Sequence, residues 1–302
     1  MGRLTTTVGS VALANPVLTA SGTAGHGAEL SAYVDLASLG GVVVKSLSAG
    51  PWPGNPAPRM HGAGAAMVNA VGLQGPGVAV WLRDDLPRLR TAGATVIASI
   101  WGSTVEGYAA AAALLAGVPG IVALEVNLSC PNLEGGRHLF AHDPRATAAA
   151  LEAAAAAGRP LWAKLSPNTD RLVEVAGVAR DAGAEAVVVA NTVLGMVLDT
   201  EIGRPVLGNG GGGLSGPAIH AVAVRAVWDV HAAHPDLPIV GVGGVRDVVS
   251  AVELLQAGAS AVEVGTATLV DPRATAKVLA GLDRWLADHR TSAAALVGRA
   301  HG

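Results

Sequence analysis

The chain has 302 residues, 14% of them charged and 51% hydrophobic, with a formal charge of -3. That balance, together with the absence of any Lys/Arg run, excludes a nucleic-acid binder, whose phosphate contacts need a basic face. No apolar run reaches the roughly 18 residues of a membrane span, and the start MGRLTTTVGS lacks a signal-peptide layout, so a soluble cytoplasmic protein is expected.

Taken in order, short apolar runs alternate with helical stretches. Strands are predicted at Val17 to Ala20, Gly41 to Lys45, Thr95 to Ile100, Val122 to Val126, Leu161 to Leu165, Ala186 to Ala190, Pro238 to Gly241 and Ala261 to Val264. Between them, Asp143-Pro144 opens an Ala-rich helix, and Asp170 is placed to cap the helix that follows it. Ser215 or Gly216 with Pro217 opens AIHAVAVRAVWDVHAA, and Val245-Arg246-Asp247 leads into VVSAVELLQAG. Repeated strand–helix units imply a parallel α/β sheet, and eight of them imply closure into a (β/α)8 TIM barrel, a single domain over residues 1–302. An open doubly wound sheet is the alternative, but Gly22, Gly25 and Gly27 after the first strand lack the G-x-G-x-x-G spacing.

Two connections are too long for ordinary βα loops. Ser46 to Pro76 is rich in Pro and Gly, and Thr192 to Ser215 carries GNGGGG at Gly208 to Gly213; both read as a lid or a site wall.

The stretch Val122 to Gly136, VALEVNLSCPNLEGG, runs from a buried strand into four polar residues, Asn127, Ser129, Cys130 and Asn132. Cys130 is the only cysteine, so it forms neither an intrachain disulfide nor a cysteine metal cage. A lone cysteine is commonly just a small buried hydrophobe. Here Pro131 and Gly135-Gly136 turn the chain into a loop, where a thiol is presented to a ligand.

Active-site residues of a barrel lie on the loops after its strands. Those loops hold Ala20-Ser21-Gly22, Lys45-Ser46, Ser99, Asn127 with Cys130 and Asn132, Lys164, Asn191-Thr192, Gly243-Gly244 and Gly265-Thr266. The set is rich in amides, with two cations and one thiol, and contains neither a carboxylate pair nor a metal-ligand grouping. Small residues after strands seven and eight suit a phosphate held on backbone N–H groups, the alternative being simple turn chemistry. Lys164 then sits in the mouth beside whatever carries the phosphate. Asn69, Asn127, Asn132 and Asn191 supply donors and acceptors for a planar ring bearing imide groups, and Lys45 adds positive charge. His231 and His234 share a helix face and read as solvated side chains, not ligands.

NLSCPN at Asn127 to Asn132 occurs with KSLSAGPWPGNPAPRM at Lys45 to Met60, NAVGLQGPG at Asn69 to Gly77, ANTVLGM at Ala190 to Met196, GGLSGPAI at Gly212 to Ile219 and VGTA at Val264 to Ala267. Over about Leu13 to Asp271 this combination resembles class 1 dihydroorotate dehydrogenases. The resemblance implies an FMN-containing barrel that oxidises dihydroorotate to orotate in pyrimidine synthesis, Cys130 taking the C5 proton while hydride passes from C6 to flavin N5. It implies that Lys45, Asn69, Asn127, Asn132, Asn191, Thr192 and the backbone of Val71, Gly72 and Leu73 bind the substrate. It further implies that Ala20 and Ser21 pass along the flavin ring, that Lys164 lies near its N1 and O2, and that Gly216, Gly243, Gly244, Gly265 and Thr266 hold the phosphate and ribityl chain. Lys45, Ser46, Ser99 and Asn127 belong to the same cofactor set.

The NAVGLQ, NTVLGM and GGLSGPAI wording is similar to subclass 1B. That implies a partner subunit carrying FAD and a [2Fe-2S] cluster that passes electrons to NAD, in a heterotetramer built on a homodimer; a fumarate-using homodimer of subclass 1A is the alternative. One cysteine cannot hold such a cluster in this chain. Gly75 stands where the subclass commonly has Asn, and His220-Ala221 where Lys-Pro often follows GPAI. The competing readings are a dihydropyrimidine dehydrogenase-like FMN barrel acting on uracil or thymine and a non-catalytic barrel.

Overall fold

The computed structural model describes residues 2–129 and 140–302, so Cys130, Pro131, Asn132 and the Gly135-Gly136 pair lie outside the described residues. Eight parallel strands close into a barrel: β1 Val17–Thr19, β2 Gly41–Val43, β3 Val96–Ile100, β4 Ile121–Asn127, β5 Leu161–Lys164, β6 Ala186–Val189, β7 Ile239–Val242 and β8 Ala261–Val264. Each pairs with its neighbour in sequence, and β8 closes on β1 with Val262 opposite Val17. The expected barrel and all eight strand positions are therefore present, with ends shifted by a residue or two.

The apolar runs explain both faces of this wall. Along a strand alternate side chains point to opposite sides. On β4, Leu124 and Val126 face out to the helices, in one core with Val187, Val189 and Val262. Ala123 faces in, sharing a second core with Leu18, Ile97, Trp162, Val188 and Val240. The same alternation turns Glu125, Asn127, Lys164 and Glu263 toward the interior. A hairpin before β1, Thr6–Val8 with Val11–Leu13, adds Val8, Val11 and Leu13 to the inner core and closes its lower end.

Helix signals fared unevenly. Asp143 caps Pro144–Ala154 by accepting from the N–H groups of Arg145 and Ala146, and Asp247 caps Val248–Ala257 in a reciprocal box with Ser250. Asp170 makes no cap: the helix Leu172–Asp181 starts after Arg171, whose N–H is taken up by Thr169 Oγ1. Pro217–Ile219 forms a short 3-10 turn, and the α-helix begins at His220.

Parts of the two long connections are ordered as strands. Met60–Ala63 and Ala66–Asn69 from the first join Val193–Gly195 and Gly212–Ser215 from the second in a four-stranded antiparallel sheet. The end of the glycine run, Gly212-Gly213, thus pairs within a strand, while Gly208 to Gly211 lie outside it. A Cβ at Gly212 would collide with the Asn69 backbone, and one at Gly213 with the Thr192 side chain, so this close approach needs glycine at both positions.

Candidate functional site

Above the carboxyl ends of the strands, beside that sheet, lies a cavity of about 540 Å³. That volume falls in the range of small-molecule and cofactor sites. Its walls include Ala20, Ser21, Lys45, Ser46, Asn69, Val71, Gly72, Leu73, Asn127, Lys164, Asn191, Thr192, Gly216, Gly243, Gly244, Gly265 and Thr266, so residues scattered from position 20 to position 266 of the chain meet in one place. Ser99 is the exception. It is fully buried below the cavity floor and does not line it; its hydroxyl bonds Ser46 and Glu125.

The amide side chains are held by a hydrogen-bond chain whose direction follows from its buried end. Ser99 Oγ donates to Glu125 Oε1 at 2.8 Å, so the 2.8 Å bond between Ser46 and Ser99 has Ser46 as donor. Ser46 Oγ accepts in turn from Asn127 Nδ2 at 3.1 Å. Asn127 Oδ1 therefore points the other way, toward the N–H of Ser129 at 3.2 Å and Nδ2 of Asn191 at 3.5 Å. Thr192 N–H donates to Asn191 Oδ1, and Asn69 Nδ2 donates to the carbonyl of Gly213. A carboxylate inside the barrel thus fixes which way the Asn127 amide turns and, through it, orients Asn191.

Lys164 ends β5 at the centre of the floor. Its Nζ donates to Glu125 Oε2 and Glu263 Oε2, both at 3.1 Å, and to Ser21 Oγ at 3.2 Å. Burial alone would push this ammonium down, but the two carboxylates outweigh it and hold its pKa above the usual lysine range. Burial pushes the Glu263 carboxyl up to about 8, Lys164 pulling against that and Glu125 adding to it. Lys45, on the far side of Ser46, is pushed down by burial and by the Arg59 guanidinium.

Three glycine-bearing loops converge on one corner. At Gly244, φ +69°, an added Cβ would stand 2.7 Å from His220 Cβ and 3.0 Å from the Gly216 carbonyl; at Gly216, φ +90°, it would stand 3.4 Å from Thr266 Cγ2. Such a corner leaves room for an anion against backbone and little for side chains. His220 closes its back, bonded to the Gly243 carbonyl at 2.7 Å and to Glu253 at 2.9 Å. At the opposite end Trp52 and Trp101 meet edge to face, ring centroids 5.3 Å apart, and both line the cavity with Asn55.

Sequence reasoning missed Glu125 and Glu263, which sit inside the barrel below the strand ends where site residues were sought. The signal was there: each is a single acid in an apolar run, two positions before a residue of the cavity, hence on the same face. His231 and His234 are half-buried, partly solvated as expected; His231 packs edge-on against His301, and His234 Nε2 bonds the Val173 carbonyl. Among the described residues no cluster of three or more His, Cys, Asp or Glu could hold a metal ion.

The family model described as dihydroorotate dehydrogenase matches residues 3–286. A protein of Desulforudis audaxviator named "Dihydroorotate dehydrogenase B (NAD(+)), catalytic subunit" is 49% identical over 97% of this chain and 96% of its own length. Proteins of the same name from Trichlorobacter lovleyi and Geobacter sp. strain M21 are 45% and 43% identical, over 93% and 96% of this chain and 92% and 96% of theirs.

Proposed function

The chain belongs to the dihydroorotate dehydrogenase family and oxidises dihydroorotate in pyrimidine synthesis, and from that premise we propose how its residues divide the work. The observation that carries the proposal is the convergence of Lys45, Asn69, Asn127, Asn191, Thr192 and Lys164 on one cavity with a glycine corner.

FMN fits that cavity: the Gly216, Gly243, Gly244, Gly265 and Thr266 corner suits its phosphate, Ala20 and Ser21 line a slot for its ring, and the Lys164 ammonium stands ready for the N1–O2 edge. When bound, FMN supplies the hydride acceptor. Lys164 stabilises negative charge on the ring, the preorganised role of a buried cation. The amides of Asn69, Asn127, Asn132 and Asn191, with Thr192, bind the pyrimidine, and Lys45 with the backbone of Val71 to Leu73 binds its carboxylate. Cys130, next to cavity-lining Ser129, takes the C5 proton as thiolate.

Electrons leave through a partner. The names of the relatives contain NAD and "catalytic subunit", which supports a complex with an electron-transfer subunit carrying FAD and a [2Fe-2S] cluster, assembled on a homodimer of this single-domain barrel. Among the described residues no helix is long and apolar enough to cross a membrane. The test compares dihydroorotate with dihydrouracil as anaerobic reductants of the purified flavoprotein, then adds fumarate or, with the partner subunit, NAD. Reduction by dihydroorotate alone and reoxidation by NAD are expected. Preference for dihydrouracil, or efficient turnover with fumarate, would overturn the substrate or the acceptor respectively.

A further inference from the structure

The barrel interior holds a titratable group that this scheme leaves idle. Glu125 and Glu263 are fully buried and share Lys164 as their ammonium partner. Among the described residues, Lys164 and Glu125 are the charged groups that act on Glu263. One ammonium cannot balance two carboxylates shielded from water; a buried carboxylate left unbalanced takes up a proton instead.

The hydrogen bonds identify which of the two carries it. Glu125 accepts at both oxygens, from Lys164 and from Ser99. Glu263 accepts from Lys164 at Oε2 only, while its buried Oε1 meets no donor. An oxygen without a donor is a poor place for charge and a good place for a proton. Both carboxylates sit 3.1 Å from the same Lys164 Nζ, which makes Glu125 the neighbouring group toward which that proton points.

We propose that Glu263 is a protonated positioning residue: it donates a proton toward Glu125, so that Lys164 faces the flavin as the partner of one carboxylate instead of two. The inference rests on the reading of Lys164 as the cation beside the ring. With the proton in place the trio sums to zero charge. Once the proton is lost to solvent the trio carries one negative charge beside the cavity where a bound flavin would take up negative charge, and its reduction would become harder. Burial moves the change well above the usual carboxylate range.

The experiment is infrared spectroscopy of the full chain, flavin-free and flavin-loaded, titrated across neutral and alkaline pH, with Glu263→Gln as control. Wild type is expected to show one buried protonated-carboxyl C=O band at neutral pH that disappears as pH rises through about 8. Glu263→Gln, which keeps the shape and a donor, should lack the band. Absence of the band in wild type at neutral pH overturns the proposal without need of any variant, and so does its persistence in Glu263→Gln. The second readout is the reduction potential of bound flavin: it should fall more steeply with pH in wild type than in Glu263→Gln around the same pH, and equal slopes would sever the link to the ring. Should the protein take up no flavin, the proposed function fails, yet the infrared band still decides where the proton is.

Discussion

Asn127 Nδ2 donates to Ser46 Oγ across 3.1 Å, tying the end of β4 to the loop after β2. Through Ser99 this bond reaches Glu125, so the amide that faces the ligand takes its orientation from a carboxylate below the floor. A cavity whose donors are aimed before the ligand arrives loses less on binding than one that must order them.

Ser46→Ala removes the acceptor of Asn127 Nδ2 and the donor to Ser99 in a buried setting. A stability loss of roughly 0.5–1.5 kcal/mol is expected, the net worth of a buried hydrogen bond, together with a raised KM for dihydroorotate. Urea unfolding and steady-state kinetics check both; unchanged values would remove the chain from its aiming role.

Lys164→Met takes the cation from between two buried acids. Breaking a buried pair from one side typically costs ~3–5 kcal/mol, so the flavin-free variant should unfold at clearly lower urea concentration. The same variant should hold FMN more weakly. Wild-type stability and flavin content together would contradict the assignment.

The raised pKa of Glu263 has a signed consequence for stability. Its folded value of about 8 lies above the model-peptide value of 4.5, so between these the unfolded chain releases a proton that the fold retains. The contribution is fully present below the lower value and is lost as pH rises to the upper one, after which it changes no further. Wild-type stability measured against that of Glu263→Gln should therefore decline over this window, and a constant difference would contradict the burial argument.

Gly244→Ala places a Cβ at φ +69°, 2.7 Å from His220 Cβ and 3.0 Å from the Gly216 carbonyl. The strain costs on the order of 1 kcal/mol or more, and the corner closes on itself. The flavin-to-protein absorbance ratio should fall well below that of wild type; full occupancy would move the phosphate elsewhere.

Much of this was legible in the chain because barrel strands are buried on both faces and read as unbroken apolar runs such as AVVV at Ala186 to Val189. Strand ends then located Lys164, Asn127 and Asn191 without any tertiary information. The lid sheet was not legible: its strands include MHGA and GGLS, short and glycine-bearing, and they form only because distant segments pair across the mouth. Glu125 and Glu263 were hidden for a related reason, since a strand pattern marks a buried acid without saying what faces it across the barrel. Asp170 is not the cap because the helix starts one residue later than expected, which makes Arg171 the N-cap position; Thr169 Oγ1 accepts the Arg171 N–H.

The most direct measurement is anaerobic stopped-flow mixing of the purified protein with dihydroorotate, following flavin absorbance in wild type and in Cys130→Ala. The account predicts a yellow protein whose flavin is bleached by dihydroorotate, and a variant that keeps its flavin but is bleached roughly 10² to 10⁴ times more slowly, the usual worth of a positioned base. A colourless protein, a flavin that stays oxidised, or a variant as fast as wild type would contradict it.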